Sequence, residues 1–321
     1  MNTIFNTQSF DINANVIYTK CLQQHLGDCI MCCILFDNIK TYIEQNNIII
    51  YFYIDEENLK QTKEFGSKNI IMLPSSEISN NNTIYDLWIG SPDYEFNFFS
   101  GSEMQKSSFY CKFYNQFLKK INIPIEINTF IYEDNDLLIR LENINKKTNN
   151  KYNNIDFLIQ NGEPRSNQFN YNLEEWNNFI TLLSQRYNVV TTQKVDGVKC
   201  TRDDNLTAKD IAAISTNNIK TIIAIDSGPT CGFYNKYTLK NTSVFYFLAN
   251  DTFQSFSLDM IKKTKITDLF FLLDENKIEG FLSNRIFEID KLNILFSSIA
   301  LGLLLVIIFK YKKLNKYCKN T

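Results

Sequence analysis

Short apolar runs rich in Ile, Val, Phe and Tyr, alternating with segments of helical spacing, limit what this chain can fold into. "NIIIYFYID" (Asn47–Asp55), "NIIMLP" (Asn69–Pro74) and "IYDLWIG" (Ile84–Gly90) have strand length and little polar alternation. "EENLKQTKEFG" lies between the first two as a short helix that Gly66 ends. Ahead of them, "CIMCCILFDNIKTYIEQ" (Cys29–Gln45) has apolar positions every three or four residues, which is helical spacing. Buried strands joined through helices predict a parallel sheet covered on both faces. "SFYCKFYNQFLKKINI" (Ser108–Ile123) adds a helix whose Phe/Tyr/Leu stripe reads as packing.

The pattern starts again further on. "IDFLIQNG" (Ile155–Gly162) is a strand ending in Asn-Gly, and "NLEEWNNFITLLSQRY" (Asn172–Tyr187) is an amphipathic helix with Asn172 as its N-cap. "NVVTTQ" (Asn188–Gln193) is a strand. "TAKDIAAISTN" starts a helix at Thr207, with Asp210 in the first turn where negative charge suits the dipole. "KTIIAIDSGPT" (Lys220–Thr230) runs from strand into turn, and "SVFYFLAN" (Ser243–Asn250) is the next strand. Between the two units, "LENINKKTNNKYNN" (Leu141–Asn154) is polar and loses periodicity, so it reads as a linker. The expected organisation is α/β, with two Rossmann-like domains facing across a cleft. Residues 1–140 are expected to form the N-terminal domain, 141–154 the linker, 155–275 the C-terminal domain and 276–291 a return segment.

With 321 residues and 44% apolar content, the chain can bury two cores. Its formal charge of −2 leaves no basic surplus for a nucleic-acid backbone, so no nucleic-acid partner is expected. The cysteines cluster at Cys29, Cys32 and Cys33 and are otherwise scattered, which suits reduced, buried thiols facing a cytosol better than a disulfide framework. A zinc site there would need a fourth ligand, and no second Cys or His pair supplies it. The opening "MNTIFNTQSFD" has no basic start followed by an apolar run, so no leader is expected.

The last segment is different. "LNILFSSIALGLLLVIIF" (Leu292–Phe309) is uncharged, with Asp290 and Lys291 before it and Lys310, Lys312, Lys313, Lys316 and Lys319 after it. As a helix it would reach about 27 Å at ~1.5 Å per residue, close to a ~30 Å hydrocarbon core. The expectation is a single transmembrane anchor over 292–309 with a basic tail over 310–321. The main domain is expected on the cytoplasmic side.

Three polar turns fall at expected carboxyl ends of strands or starts of helices, where open α/β sheets bind ligands. The first is "HLGD" (His25–Asp28), which contains the only histidine in the chain. The second is "NGEPRSNQFN" (Asn161–Asn170), where Arg165 and Ser166 are natural partners of a diphosphate. The third is "DSGPT" (Asp226–Thr230), with a glycine for close backbone approach and hydroxyls on either side of Gly228 and Pro229. Taken singly, an Asp at a helix start is a cap and Ser-Gly-Pro is a turn.

In this order the three turns resemble the ADP-heptose:lipopolysaccharide heptosyltransferase family, from about Tyr18 to Asn250. "HLGDCIMCCILFDNIK" looks like that family's opening Gly-Asp turn and helix. "FLIQNGEPRSNQFNYNLEEWNNFITLLSQRY" is similar to its second-domain start, and "LTAKDIAAISTNNIKTIIAIDSGPT" to its Asp-Ser/Thr-Gly-Pro stretch. The resemblance implies a GT-B fold and a nucleotide-sugar donor in the cleft. Its diphosphate would lie near Arg165, Ser166, Ser227, Gly228, Pro229 and Thr230. Asp28 matches the family's base, an ionised carboxylate that takes the acceptor hydroxyl's proton in an inverting transfer. Gly27 would support the turn. His25 would orient the acceptor or stabilise phosphate, unless it is a turn residue with a satisfied ring. The chain departs from the family at two points: Cys231 stands where a His is common, and Glu174 and Glu175 precede Trp176 where a basic residue is common.

No Asp-x-Asp pair is placed to hold a divalent ion between the turns, so the expected reaction is metal-independent and needs no cofactor. The expected function is a membrane-anchored glycosyltransferase acting on a glycan or other acceptor. The alternative is a non-catalytic, glycosyltransferase-like scaffold tethered to a membrane.

Overall fold

Two all-parallel sheets organise the computed structural model, which describes residues 15–22, 25–79, 81–88, 91, 109–164, 169–249 and 261–273. The first sheet contains β1 (Asn15–Cys21), β2 (Ile48–Ile54), β3 (Ile70–Pro74) and β4 (Ile84–Asp86), in the order β3-β2-β1-β4. The second contains β5 (Phe157–Gln160), β6 (Val189–Thr191), β7 (Lys199–Cys200), β8 (Thr221–Ile225), β9 (Val244–Leu248) and β10 (Ile261–Thr264), in the order β10-β9-β8-β5-β6-β7. Both orders follow the doubly wound rule: the chain builds outward in one direction, returns to the middle, and builds the other way. The reversal falls between β1 and β4 in the first sheet and between β5 and β8 in the second.

β2, β3, β4, β5, β6, β8 and β9 lie where the apolar runs predict strands. β1 is a strand the apolar runs do not reveal. It occupies the centre of the first sheet, paired with β2 through Asn15↔Ile48 to Cys21↔Ile54 and with β4 through Tyr18↔Ile84. Asn15, Thr19 and Lys20 interrupt its apolar character. Thr19 is nonetheless fully buried, its hydroxyl donating to the Tyr51 carbonyl at 3.2 Å.

The helix expected after Gly27-Asp28 is two helices, α1 (Leu26–Asn38) and α2 (Lys40–Gln45), broken at Ile39. Residues Cys29 to Phe36 of α1 are all buried, so this helix is enclosed on every side. It packs on α3 (Glu56–Lys63) and on a 3-10 segment, Gly228–Phe233, from the second half of the chain. α4 (Phe109–Lys120) matches its expected helix.

The first half of the segment expected as a linker, 141–154, is helical. Asp136–Lys147 is a helix, α5, with Leu137 and Ile144 buried and Leu141 packed on the core. Those three residues keep helical spacing, but a segment cut at Leu141 hides it. The polar remainder is a tight turn in which Asn149, Asn150 and Asn154 adopt left-handed backbone, φ 52°, 60° and 55°, a conformation Asn tolerates.

In the second half, Asn172 caps α6 (Leu173–Ser184) by accepting from the Glu174 and Glu175 N–H groups at 2.9 and 3.2 Å. Thr207 and Asp210 form a reciprocal capping box on α7 (Ala208–Ser215). α8 (Lys236–Asn241) follows the 3-10 segment. Both sheets lie in one compact unit that extends to Ile266. From Thr267 a second unit begins, described through the end of α9 (Ile266–Leu269) and a 3-10 turn, Phe270–Leu273. The return segment 276–291, the apolar stretch 292–309 and the tail 310–321 lie outside the described residues. No helix among the described residues is long and apolar enough to cross a membrane.

A charged network ties the two halves of the first unit. Lys209, its side chain 5% exposed, binds Asp134 at 2.7 Å, Asp136 at 3.4 Å and the Glu64 carbonyl at 2.7 Å. Arg140 of α5 binds Glu64 and Asp210 at 2.8 Å each, and Thr207 donates to Glu64 at 2.7 Å. Asp134 and Asp136 are thus committed to internal cations. Removing one partner of a buried pair strands the others. Lys209→Met is therefore expected to lower stability by about 3 kcal/mol, read as a fall in the urea midpoint; an unchanged midpoint would contradict this account of the network.

Candidate active site

The carboxyl-end crevices of the two sheets meet. From β1 the chain passes to His25, whose extended backbone (φ −110°, ψ 108°) sets the entry to α1 and whose side chain makes no capping bond. The Asp28 N–H donates to the His25 carbonyl at 3.1 Å, closing the first turn. From β8 the chain passes through Asp226 and Ser227 to Gly228. These two turns touch backbone to backbone. A methyl group on Gly27 would lie 2.8 Å from the Gly228 Cα, and one on Gly228 would lie 2.7 Å from the Gly27 nitrogen. Neither gap admits a side chain. The two glycines therefore let the α1 start and the β8 turn sit against each other, placing Asp28 one residue from the contact.

Asp28 keeps part of its surface accessible, yet burial pushes its pKa up to about 6, with the His25 charge drawing it part of the way back. A carboxylate held low by backbone donors is the expectation from sequence. The structure differs because the first turn of α1 is enclosed by Cys29, Cys32 and the opposing turn, and desolvation outweighs the helix dipole. At neutral pH the group is still mostly ionised, and a value near 6 suits a general base. Its neighbours follow the same physics. Burial, then the Asp226 and Asp28 charges, push the Cys231 thiol up, so position 231 contributes no positive charge. Burial and the Asp28 charge also push up the hydroxyl of Tyr110, which stacks with Tyr114 and Phe130 at 6.4 and 5.4 Å and brings α4 to the same region.

On the second sheet, polar side chains gather beyond β5, β6 and β8. Gln160 donates to the Ser227 hydroxyl at 2.7 Å, across the reversal point between β5 and β8. The Asn161 side chain accepts from the Thr192 and Gln193 N–H groups at 3.1 and 2.8 Å. Ser227 is extended and 7% exposed. Thr230 is 1% exposed, with its hydroxyl donating to the Ile225 carbonyl at 2.7 Å and its N–H donating to the Ser227 carbonyl at 3.0 Å. Of the expected phosphate-binding residues, then, Thr230 holds the turn together, Pro229 is the second residue of the 3-10 segment, Gly228 makes the interface contact, and Ser227, itself buried, accepts from Gln160. Arg165 and Ser166 lie outside the described residues. Glu174 and Glu175 are exposed on the first turn of α6.

Reading the sequence for turns misses Gln160, although a glutamine closing the apolar run "FLIQ" is the available signal. It also misses the pairing of Gly27 with Gly228, for which a single sequence carries no signal. No group of His, Cys, Asp or Glu suited to a metal ion occurs among the described residues. A separate cavity of about 320 Å3 lies at the C-terminal half of α1, lined by Phe36, Asp37, Glu64, Phe65, Asp134 and Lys209. Its Lys209, Asp134 and Glu64 are already bound to one another, so it is a gap beside the charged network.

No family model matches the sequence, and no curated protein matches it. Solved structures do match in fold. E. coli heptosyltransferase WaaC with ADP aligns at TM-score 0.52 and 10% identity, over 84% of this chain and 99% of that one. The same enzyme with ADP-2-deoxy-2-fluoro heptose aligns at TM-score 0.51 and 9% identity over the same shares. A glycosyl transferase family 9 protein from Veillonella parvula aligns at 0.48 and 12% identity, over 78% of this chain and 87% of that one. Two doubly wound parallel sheets whose carboxyl-end turns meet make this an α/β protein with the architecture of GT-B glycosyltransferases. The resemblance read from the sequence is thus met at the level of the fold.

Two expectations follow. Gly228→Ala should lower the urea midpoint by the equivalent of about 2 kcal/mol, because its methyl meets backbone that cannot turn aside; a neutral substitution would mean the two turns do not touch. Asp28 carries a sign. Its folded pKa of about 6 exceeds the ordinary carboxylate value of 3.8, so the folded state holds the proton more tightly. The contribution of Asp28 to stability is therefore full below about pH 4 and is lost as pH rises through 6, by up to about 3 kcal/mol. Asp28→Asn should flatten that slope and melt higher than the wild type at pH 8, as calorimetry across pH 4–8 would test.

Proposed function

We propose that this chain is an inverting, metal-independent glycosyltransferase that takes a sugar from a nucleotide-diphosphate donor. The observation that carries the reading is the meeting of the Asp28 turn with the Ser227–Gly228 turn, in a fold shared along nearly the whole length of a heptosyltransferase. In this reading Asp28 takes the proton of the acceptor hydroxyl as that oxygen attacks the anomeric carbon, and the nucleotide diphosphate leaves from the opposite face. Ser227, with Arg165 and Ser166, holds the diphosphate, and His25 stands beside the base. The acceptor is a glycan or another hydroxyl-bearing molecule. The apolar stretch 292–309 tethers the enzyme to a membrane, a reading that rests on its composition.

One observation favours a second reading, a tethered scaffold without activity. Cys231 stays neutral between Asp226 and Asp28, so the turn offers two carboxylates and no cation at that position to meet a diphosphate.

The full chain, in detergent, should be screened by thermal shift and donor hydrolysis against nucleotide diphosphates and their sugars. Binding with turnover supports the enzyme, binding without turnover supports the scaffold, and no binding by any donor removes both. Asp28→Asn is expected to cut turnover at least about a hundredfold while leaving donor binding in place; full turnover in that variant would remove Asp28 from the role.

A further inference from the structure

We infer that Gln160 is a positioning residue that makes Ser227 a hydrogen-bond donor towards the donor's diphosphate. The inference rests on the reading above and adds a residue and a direction to it.

The Gln160 carbonyl oxygen takes the Gly162 N–H at 3.4 Å and the Thr192 hydroxyl. A backbone N–H can only donate, so it settles which end of the Gln160 amide faces Gly162. The other end, Nε2, must then face Ser227, and it donates to the Ser227 oxygen at 2.7 Å. Thr230 gives its own proton to the Ile225 carbonyl at 2.7 Å, so it has none for Ser227. The Ser227 proton is left with only a long contact to the Thr230 oxygen, 3.4 Å. Ser227 thus already accepts one strong bond and, among the described residues, holds a proton with no strong acceptor. It suits a ligand atom that only accepts, and a phosphate oxygen is such an atom.

The amide is held in place on all sides. Gln160 is 1% exposed and sits at the end of β5, in register with Ala224 of β8, three residues before Ser227. A methyl on Gly162 would come within 3.1 Å of Nε2, so the glycine leaves room for this one orientation. The bond crosses the floor of the crevice where the second sheet reverses direction, the place where open sheets bind ligands.

The test is calorimetric titration of the full chain with ADP, GDP, UDP, CDP and inorganic pyrophosphate. If the wild type binds none of them, both the donor reading and this inference fall. Given a binding probe, Ser227→Ala and Gln160→Met are each expected to weaken it about tenfold, the worth of one hydrogen bond. The double variant should be no weaker than Ser227→Ala alone, a coupling that a merely structural glutamine would not produce. Gln160→Glu, whose carboxylate would take the Ser227 proton, should bind worse than Gln160→Met. Additive losses, or wild-type binding by Gln160→Met, would overturn the inference while leaving the donor reading intact. Should Gln160→Met fail to fold, Gly162→Ala decides the matter, since pressure on the amide is expected to weaken the same probe and unchanged binding would overturn the proposal.

Discussion

Everything at this site depends on the absence of two methyl groups. Gly27 and Gly228 follow strands of different sheets, and their backbones approach so closely that a Cβ on either would overlap the other. Close-packed interiors do not absorb such an overlap cheaply. The contact decides where the first turn of α1 lies, and therefore where Asp28 lies. It also closes the space around that carboxylate, which is why burial dominates its electrostatics. A helix start open to water would have left the same residue an ordinary surface acid. Facing the turn after β8, it is an acid with a pKa near 6 beside a polar crevice.

Charge is distributed to match. The strong ion pairs of the unit, Lys209 with Asp134 and Arg140 with Glu64 and Asp210, tie the halves together away from the Gly27–Gly228 contact. They hold the interface and take the Asp134-x-Asp136 carboxylates out of play. Apart from His25, the groups placed around Asp28 are neutral: the Cys29 and Cys32 thiols, Cys231 and the Tyr110 hydroxyl. A carboxylate surrounded this way destabilises the fold when ionised, and that tension between stability and reactivity is characteristic of functional sites.

Polarity on the second sheet is arranged by the same economy of partners. Gln160, Thr192, Asn161 and Ser227 satisfy one another beyond the strand ends, and buried polar groups must do so. Thr230, which a turn motif alone would assign to a ligand, is used up holding that turn. Ser227 instead accepts from Gln160, which leaves its own proton for another acceptor. Which hydroxyl of a Ser-Gly-Pro-Thr turn can meet a ligand therefore depends on a glutamine sixty-seven positions earlier in the chain.

By itself the sequence determined most of the regular elements. Apolar runs marked β2, β3, β5, β8 and β9, and the Asn172 and Thr207 caps marked the starts of α6 and α7, because strand burial and helix capping are set by neighbours a few residues away. It placed Asp28 at the start of a helix and Ser227 in the turn that follows a strand. It did not reveal β1, where Thr19 and Lys20 are tolerated because β2 and β4 flank it, or α5, whose Leu137, Leu141 and Ile144 are spaced across an apparent linker. Only the tertiary structure decided that Gly27 meets Gly228, that Asp28 is desolvated, and that Gln160 governs Ser227. Each of those facts depends on residues far apart in the chain competing for the same space or the same proton, and local pattern carries no record of that competition.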